Sequence, residues 1–176
     1  MKALVTFGIA VGLILSGNVA FAQRSAGSKI DGEAYEAPYF YNSARTYQDN
    51  AYAHAEVLQE ATSSGVALPQ AIAKEHTDAI RANVQAAAKH HASLRAAAKG
   101  NAKATAHLDA IDQHHKKAIE AAGAIDAATV SGKGDAVAVN KLAGQAAENL
   151  KAAQDKHKAL AEHLKNSKAA KAAADK

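Results

Sequence analysis

Nine histidines in a chain with no cysteine and a single methionine are the residues with most chemistry to offer. Neutral imidazole is the commonest protein ligand for divalent transition metals, so the question is which rings can meet. Apolar seams read at alternating steps of three and four put at least one histidine on the inner stripe of each of four predicted helices. The first stripe is Tyr47, Ala51, His54, Leu58 and Ala61. The second is Ile72 or Ala73, His76, Ile80, Val84, Ala87, His91, Leu94 and Ala98. The third is Ala104, Leu108, Ile111, His115, Ala118, Ala122 and Ile125, and the fourth Val139, Leu142, Ala146, Leu150, Ala153, His157, Leu160 and Leu164. His90, His107, His114 and His163 fall on the flanks.

Short connections make neighbouring helices antiparallel, so reflecting residue numbers through each turn shows which residues share a height. Reflection near residue 65 sets His54 opposite His76. Reflection near 99–100 sets His91 opposite His107 or Leu108, and reflection near 132 brings His157 level with His107. His115 comes level with Val84 and Glu148. Two ligand sets follow: His54 with His76, and His91 with His107 and His157. Imidazole-only ligation suits zinc, copper or nickel better than magnesium or calcium, so the expected cofactor is a divalent transition metal of that group.

The motif record narrows this chemistry. No H-x3-H is present, and the one acid-x-x-His match is Asp112-x-x-His115, so the carboxylate set of a di-iron bundle is missing. The absence of C-x-x-C-H excludes covalent haem, and few large apolar residues are on hand to wrap a porphyrin. The ordinary alternative is that these histidines are half-buried polar residues at the bundle boundary. Adjacent pairs His90-His91 and His114-His115 cannot both face inward, since successive helical residues point in different directions. Seam histidines titrating near their usual value of about 6.5 also predict a bundle that loosens below about pH 6.

The elements that position these rings are written in start and stop signals. The first helix starts near the cap candidate Ser43 and stops by Gly65. The second opens at Leu68-Pro69 and ends at Gly100, the third runs from the cap Asn101 to about Thr129, and the fourth from Asp135 to about Leu164. Alanine dominates the sequence and has the highest intrinsic helix propensity, because it loses no side-chain entropy in the helix. The expected fold is all-α: an up-down-up-down antiparallel four-helix bundle over 43–165, Ala-rich and thin-cored. A disordered Lys/Ala tail is expected at 166–176. Residues 23–42 read as an irregular leader carrying aromatics; every tyrosine and Phe40 lie between 35 and 52, where they read as a cap on one end of the bundle.

Residues 1–22 have the anatomy of a cleavable signal peptide: Lys2, an apolar stretch from Ala3 to Leu15, and Val19-Ala20-Phe21-Ala22 ending small-x-small before Gln23. The expectation is a periplasmic or secreted protein with no transmembrane span after cleavage. A formal net charge of only +4, together with export, argues against a nucleic-acid partner. No nucleophile–base pair, glycine-rich phosphate loop or paired catalytic carboxylates appear, so no enzyme is expected, and Gly132-Lys133-Gly134 reads as a turn. The leading expectation is a non-enzymatic structural or interaction role in the cell envelope, through an envelope protein or self-association. Its sharpest alternative is a His-rich metal-binding bundle. In size, export and basicity the chain also resembles small helical periplasmic stress chaperones, which implies a stress-protectant or chaperone-like role, but it lacks their L-T-x-x-Q motif.

Overall fold

Alanine-rich stretches without internal breakers become long helices, and the computed structural model, which describes residues 33–130 and 135–174, consists of four. They are α1 (Glu33–Thr62), α2 (Gln70–Ala97), α3 (Ala102–Thr129) and α4 (Ala136–Ala174), with no strand among the described residues. The helices belong to one compact unit, Asp31–Lys176. The expected signal peptide, residues 23–32 of the leader, the turn expected at 132–134 with Ser131, and the last two residues lie outside the described residues.

The helix ends follow local chemistry. Gly65 (φ +75°) and Gly100 (φ +86°) adopt the left-handed conformation that closes α1 and α2, one an L side chain rarely takes. Asn101 caps α3, its side-chain oxygen accepting from the Ala104 amide at 3.0 Å. Asp135 does the same for α4, accepting from the Val137 amide at 2.9 Å. Pro69 is the residue before α2, one place earlier than the first-turn position expected.

Two boundaries differ from the sequence expectation. Helix α1 begins at Glu33 and not near Ser43, so much of the leader is helical. Pro38 lies inside α1, where its missing N–H removes one rung of the backbone ladder. Tertiary packing offsets that loss: Phe40 and Tyr41 lie against a buried cluster that includes Leu94, Leu108 and Leu160. At the other end α4 continues to Ala174, through most of the tail expected to be disordered. Lysine and alanine are both strong helix formers, so the helix propagates beyond its last core residue.

Helix α1 packs on α2 and α4, and α3 packs on α2 and α4. Hydrogen-bonded pairs run in opposite order on adjacent helices. Thr77, His91 and Arg95 of α2 meet Asp126, Asp112 and Asp109 of α3. Gln48 and Gln59 of α1 meet Leu150 and Asn140 of α4. At Gly144 of α4 an added Cβ would lie 3.1 Å from the side-chain nitrogen of Gln59 on α1, so that side chain would have to shift by a few tenths of an ångström.

The buried stripe of α3 is the one its sequence predicts. On α2 Thr77 takes the core position expected of His76, which is half-buried. The α1 stripe is rotated by about one residue, to Ala44, Gln48, Ala51, Ala55, Leu58 and Thr62, leaving Tyr47 and Ala61 exposed. The large fully buried aliphatics are few: Leu58, Ile80, Leu108, Ile111, Ile125, Leu150 and Leu160. Each contributes roughly 1.5–3 kcal/mol by burial, and the alanines far less. They form two apolar clusters, one around Ile80, Ile125 and Leu150 and one around Leu94, Leu108 and Ile111. On α2, His91 falls between the two, after Val84 and before Leu94; on α3, His115 falls between Ile111 and Ala118. A polar layer divides the core.

Candidate metal centre

That layer is built from one buried histidine on each of three helices, His91 on α2, His115 on α3 and His157 on α4. His91 is fully buried, and His115 and His157 are exposed by only 2% and 1%. Burial of three imidazoles is costly unless their nitrogens find partners, so the partners locate the chemistry.

His91 of α2 is engaged on both sides. Its Nδ1 lies 2.8 Å from Asp112 Oδ1 on α3. A carboxylate only accepts, so His91 Nδ1 carries the proton there. The other nitrogen, Nε2, lies 2.8 Å from Nε2 of His157, which reaches it from α4. With His91 neutral, His157 donates across that gap and its own Nδ1 is left without a protein partner. Asp112 is held in turn by Arg95, whose Nη1 is 2.9 Å from Oδ2. Burial pushes the Asp112 carboxyl up, but the His91 hydrogen bond and the Arg95 guanidinium outweigh it and hold the group below its usual value.

His115 stacks on His91, ring centroids 5.4 Å apart and planes within 10°. Neither of its nitrogens has a protein hydrogen-bond partner. Burial first, and then the neighbouring His91, push its pKa down to about 4, and burial pushes His157 down to about 3. Both rings are therefore neutral at pH 7, the protonation state that a metal ligand requires. One donor atom each from His91, Asp112 and His115 lie within 4.8 Å of one another, a separation a single ion can bridge. The donor set is two imidazoles and a carboxylate from two helices, with His157 against the outer nitrogen of His91.

The sequence-derived sets are realised in part. His54 and His76 do meet, with Nδ1 atoms 2.9 Å apart between α1 and α2. They are half-buried, and burial lowers both pKa values, helped for His54 by the charge of His76. His91 and His157 meet as expected. His107 does not join them: it lies at the flank of α3, its ring 6.1 Å from His163. The reason is the α2–α3 reflection, which passes through Asn101 and Ala102 and not through Gly100, because the chain makes an extra step past Gly100 before α3 begins. That offset exchanges His107 for Asp112 and His115. Sequence reasoning missed both, although Asp112-x-x-His115 was the one acid–histidine pair at i,i+3, the spacing that puts two ligands on one helix face.

The remaining histidines have ordinary partners. His114 Nδ1 is 3.2 Å from the Asn149 side-chain oxygen, and His163 Nε2 is 3.0 Å from that of Asn101. His90 lies among the Tyr39, Phe40 and Tyr47 rings, stacked on Tyr47 at 5.7 Å. No protein-family model matches the chain, and no curated protein or solved structure matches it either.

Proposed function

We propose that the protein is an exported, up-down-up-down helical bundle that binds one divalent transition-metal ion through His91, Asp112 and His115. The observation that carries this reading is His115. It is a ring 2% exposed, neutral at pH 7 and without a protein partner for either nitrogen, set beside a carboxylate-paired histidine. An apolar residue would be less costly at that place, and a ligand role accounts for the imidazole. Two imidazoles and one carboxylate suit zinc, copper or nickel, and iron(II) takes the same set. Ligation through Nδ1 requires the other neutral tautomer of His91, with its proton on Nε2 and donated to His157, a contact that then serves as the outer hydrogen bond that fixes ring orientation at metal sites. Export rests on Lys2, the apolar stretch Ala3 to Leu15 and the Val19–Ala22 cleavage pattern. The bundle order is supported by the opposite sequence order of hydrogen-bonded pairs on adjacent helices.

Thermal denaturation with and without zinc, copper or nickel tests the reading. A metal that binds only the folded state stabilises it by about 2.7 kcal/mol at a hundredfold excess over Kd. The melting temperature rises with at least one of the three, and Asp112→Asn or His115→Leu removes the rise. No rise with any of them overturns the proposal.

A second reading, an interaction role in the envelope, is favoured by one observation. Tyr39 and Tyr47 are 54% and 37% exposed around His90, an aromatic patch spanning α1 and α2. Aromatic side chains of this kind anchor protein interfaces. Cross-linking to an envelope protein that Tyr39→Ser abolishes would support it, and a wild-type cross-linking pattern in that variant would remove it.

A further inference from the structure

Helices α2 and α3 pack against each other less extensively than the other adjacent pairs, and a groove of about 400 Å³ lies along their seam. Val84, Ala88 and Ile119 supply its apolar lining. Asp112 and His115, two of the three ligands assigned above, line the same groove, as does Lys116. The small Ala88 side chain, exposed on α2, lines this seam beside the centre.

We propose that the metal keeps one coordination position open toward this groove and binds a small exogenous anion there. The inference rests on the metal reading above and names what that centre takes. Three protein ligands, two of which (Asp112 and His115) line an opening to solvent, form the arrangement that leaves a fourth position exchangeable, whereas closed structural sites use four. Charge selects the ligand. A divalent ion with two neutral imidazoles and one carboxylate keeps a net positive charge. Arg95, 2.9 Å from Asp112, and Lys116 at the groove add two more cations against Glu120, which shares the lining, and Asp109, which shares Arg95. These side-chain charges balance, so the net positive charge of the centre itself selects an anion, and a small monodentate one of modest hydration fits the apolar approach. Binding is a simple exchange, in which the anion's lone pair replaces that of a solvent molecule on the metal with no change of oxidation state.

The test uses the full chain loaded with cobalt(II), whose visible d–d bands report coordination, titrated with sodium azide. Saturable change in these bands is the expected result. Ala88→Phe, which fills the groove, weakens the azide response at least about tenfold while the protein still binds cobalt and shows its d–d bands. Lys116→Glu, an exposed substitution, weakens azide but leaves the response to neutral imidazole as in the wild type. Cobalt bands that ignore azide, or an Ala88→Phe variant that responds like the wild type, overturn the inference and leave the metal site standing. Absence of any cobalt bands instead overturns the metal reading itself.

Discussion

Replacing His115 by leucine should make the metal-free protein more stable and the metal-loaded protein no more stable than the metal-free one. His115 is 2% exposed, and its two ring nitrogens have no protein hydrogen bond. A buried polar group left unsatisfied costs roughly 1–3 kcal/mol, and an apolar side chain of similar volume removes that cost. Leucine forfeits the stacking contact with His91 but joins Ile111 and Ala118, its neighbours along the α3 stripe. The net gain is about 2 kcal/mol, or a rise of roughly 4–8 °C in melting temperature for a domain of this size. The assay is a circular-dichroism melt at neutral pH, first with chelator and then with excess zinc, of wild type and His115→Leu side by side. The variant should melt higher than wild type with chelator and show no further rise with zinc. A variant that melts lower with chelator and still rises with zinc would refute the reasoning at both steps, since the ring would then be a satisfied structural residue.

Acid should unfold the metal-free protein in a defined window. His115 and His157 have folded-state pKa values of about 4 and about 3, below the ordinary value of 6.5. The unfolded chain therefore binds more protons than the folded one between those limits, so stability is present above about pH 6.5 and is lost as pH falls toward 4. Lowering the pH from about 7 to 4.5 removes on the order of 2 kcal/mol per ring, a large part of a typical total of 5–15 kcal/mol. Identical melts at both pH values would contradict this. His107→Ala should leave the zinc-induced rise in melting temperature intact, while His91→Ala abolishes it; equal effects of the two would contradict the assignment. Asp126→Ala removes the partner of both Arg81 and Thr77, the former 2.5 Å away, and should cost about 2–3 kcal/mol in urea unfolding, where a loss under about 0.5 kcal/mol would show the network to be unimportant.

What the sequence reveals depends on how local the cause is. The α3 stripe from Ala104 to Ile125 is legible because its apolar period is unbroken and its cap, Asn101, sits one residue ahead. Gly65 and Gly100 mark helix ends because a left-handed residue is required there. The α1 stripe is less legible, since it depends on a contact between distant residues. Gln48 turns inward to donate to the Leu150 carbonyl at 3.1 Å, which rotates Tyr47 outward. No periodicity in α1 alone encodes that bond. The start of α1 is hidden for a similar reason: Pro38 reads as a breaker, and only the packing of Phe40 and Tyr41 on the far end of the core reverses that reading.

At the site, the pairing of His54 with His76 survives because the turn at Gly65 is a clean mirror. The larger cluster is displaced because the mirror between α2 and α3 lies past Gly100. An error of about one helical turn is enough to exchange a flank histidine for an inward one, and thus His107 for His115. The burial that keeps His115 and His157 neutral is a property of three helices together.

Elemental analysis of the natively purified protein, without an affinity tag, tests the central claim most directly. The account predicts close to one equivalent of a first-row transition metal per chain, retained through dialysis and lost in Asp112→Asn and His115→Leu. Wild-type protein that holds no metal after purification, and takes up none from zinc, copper or nickel, would contradict it.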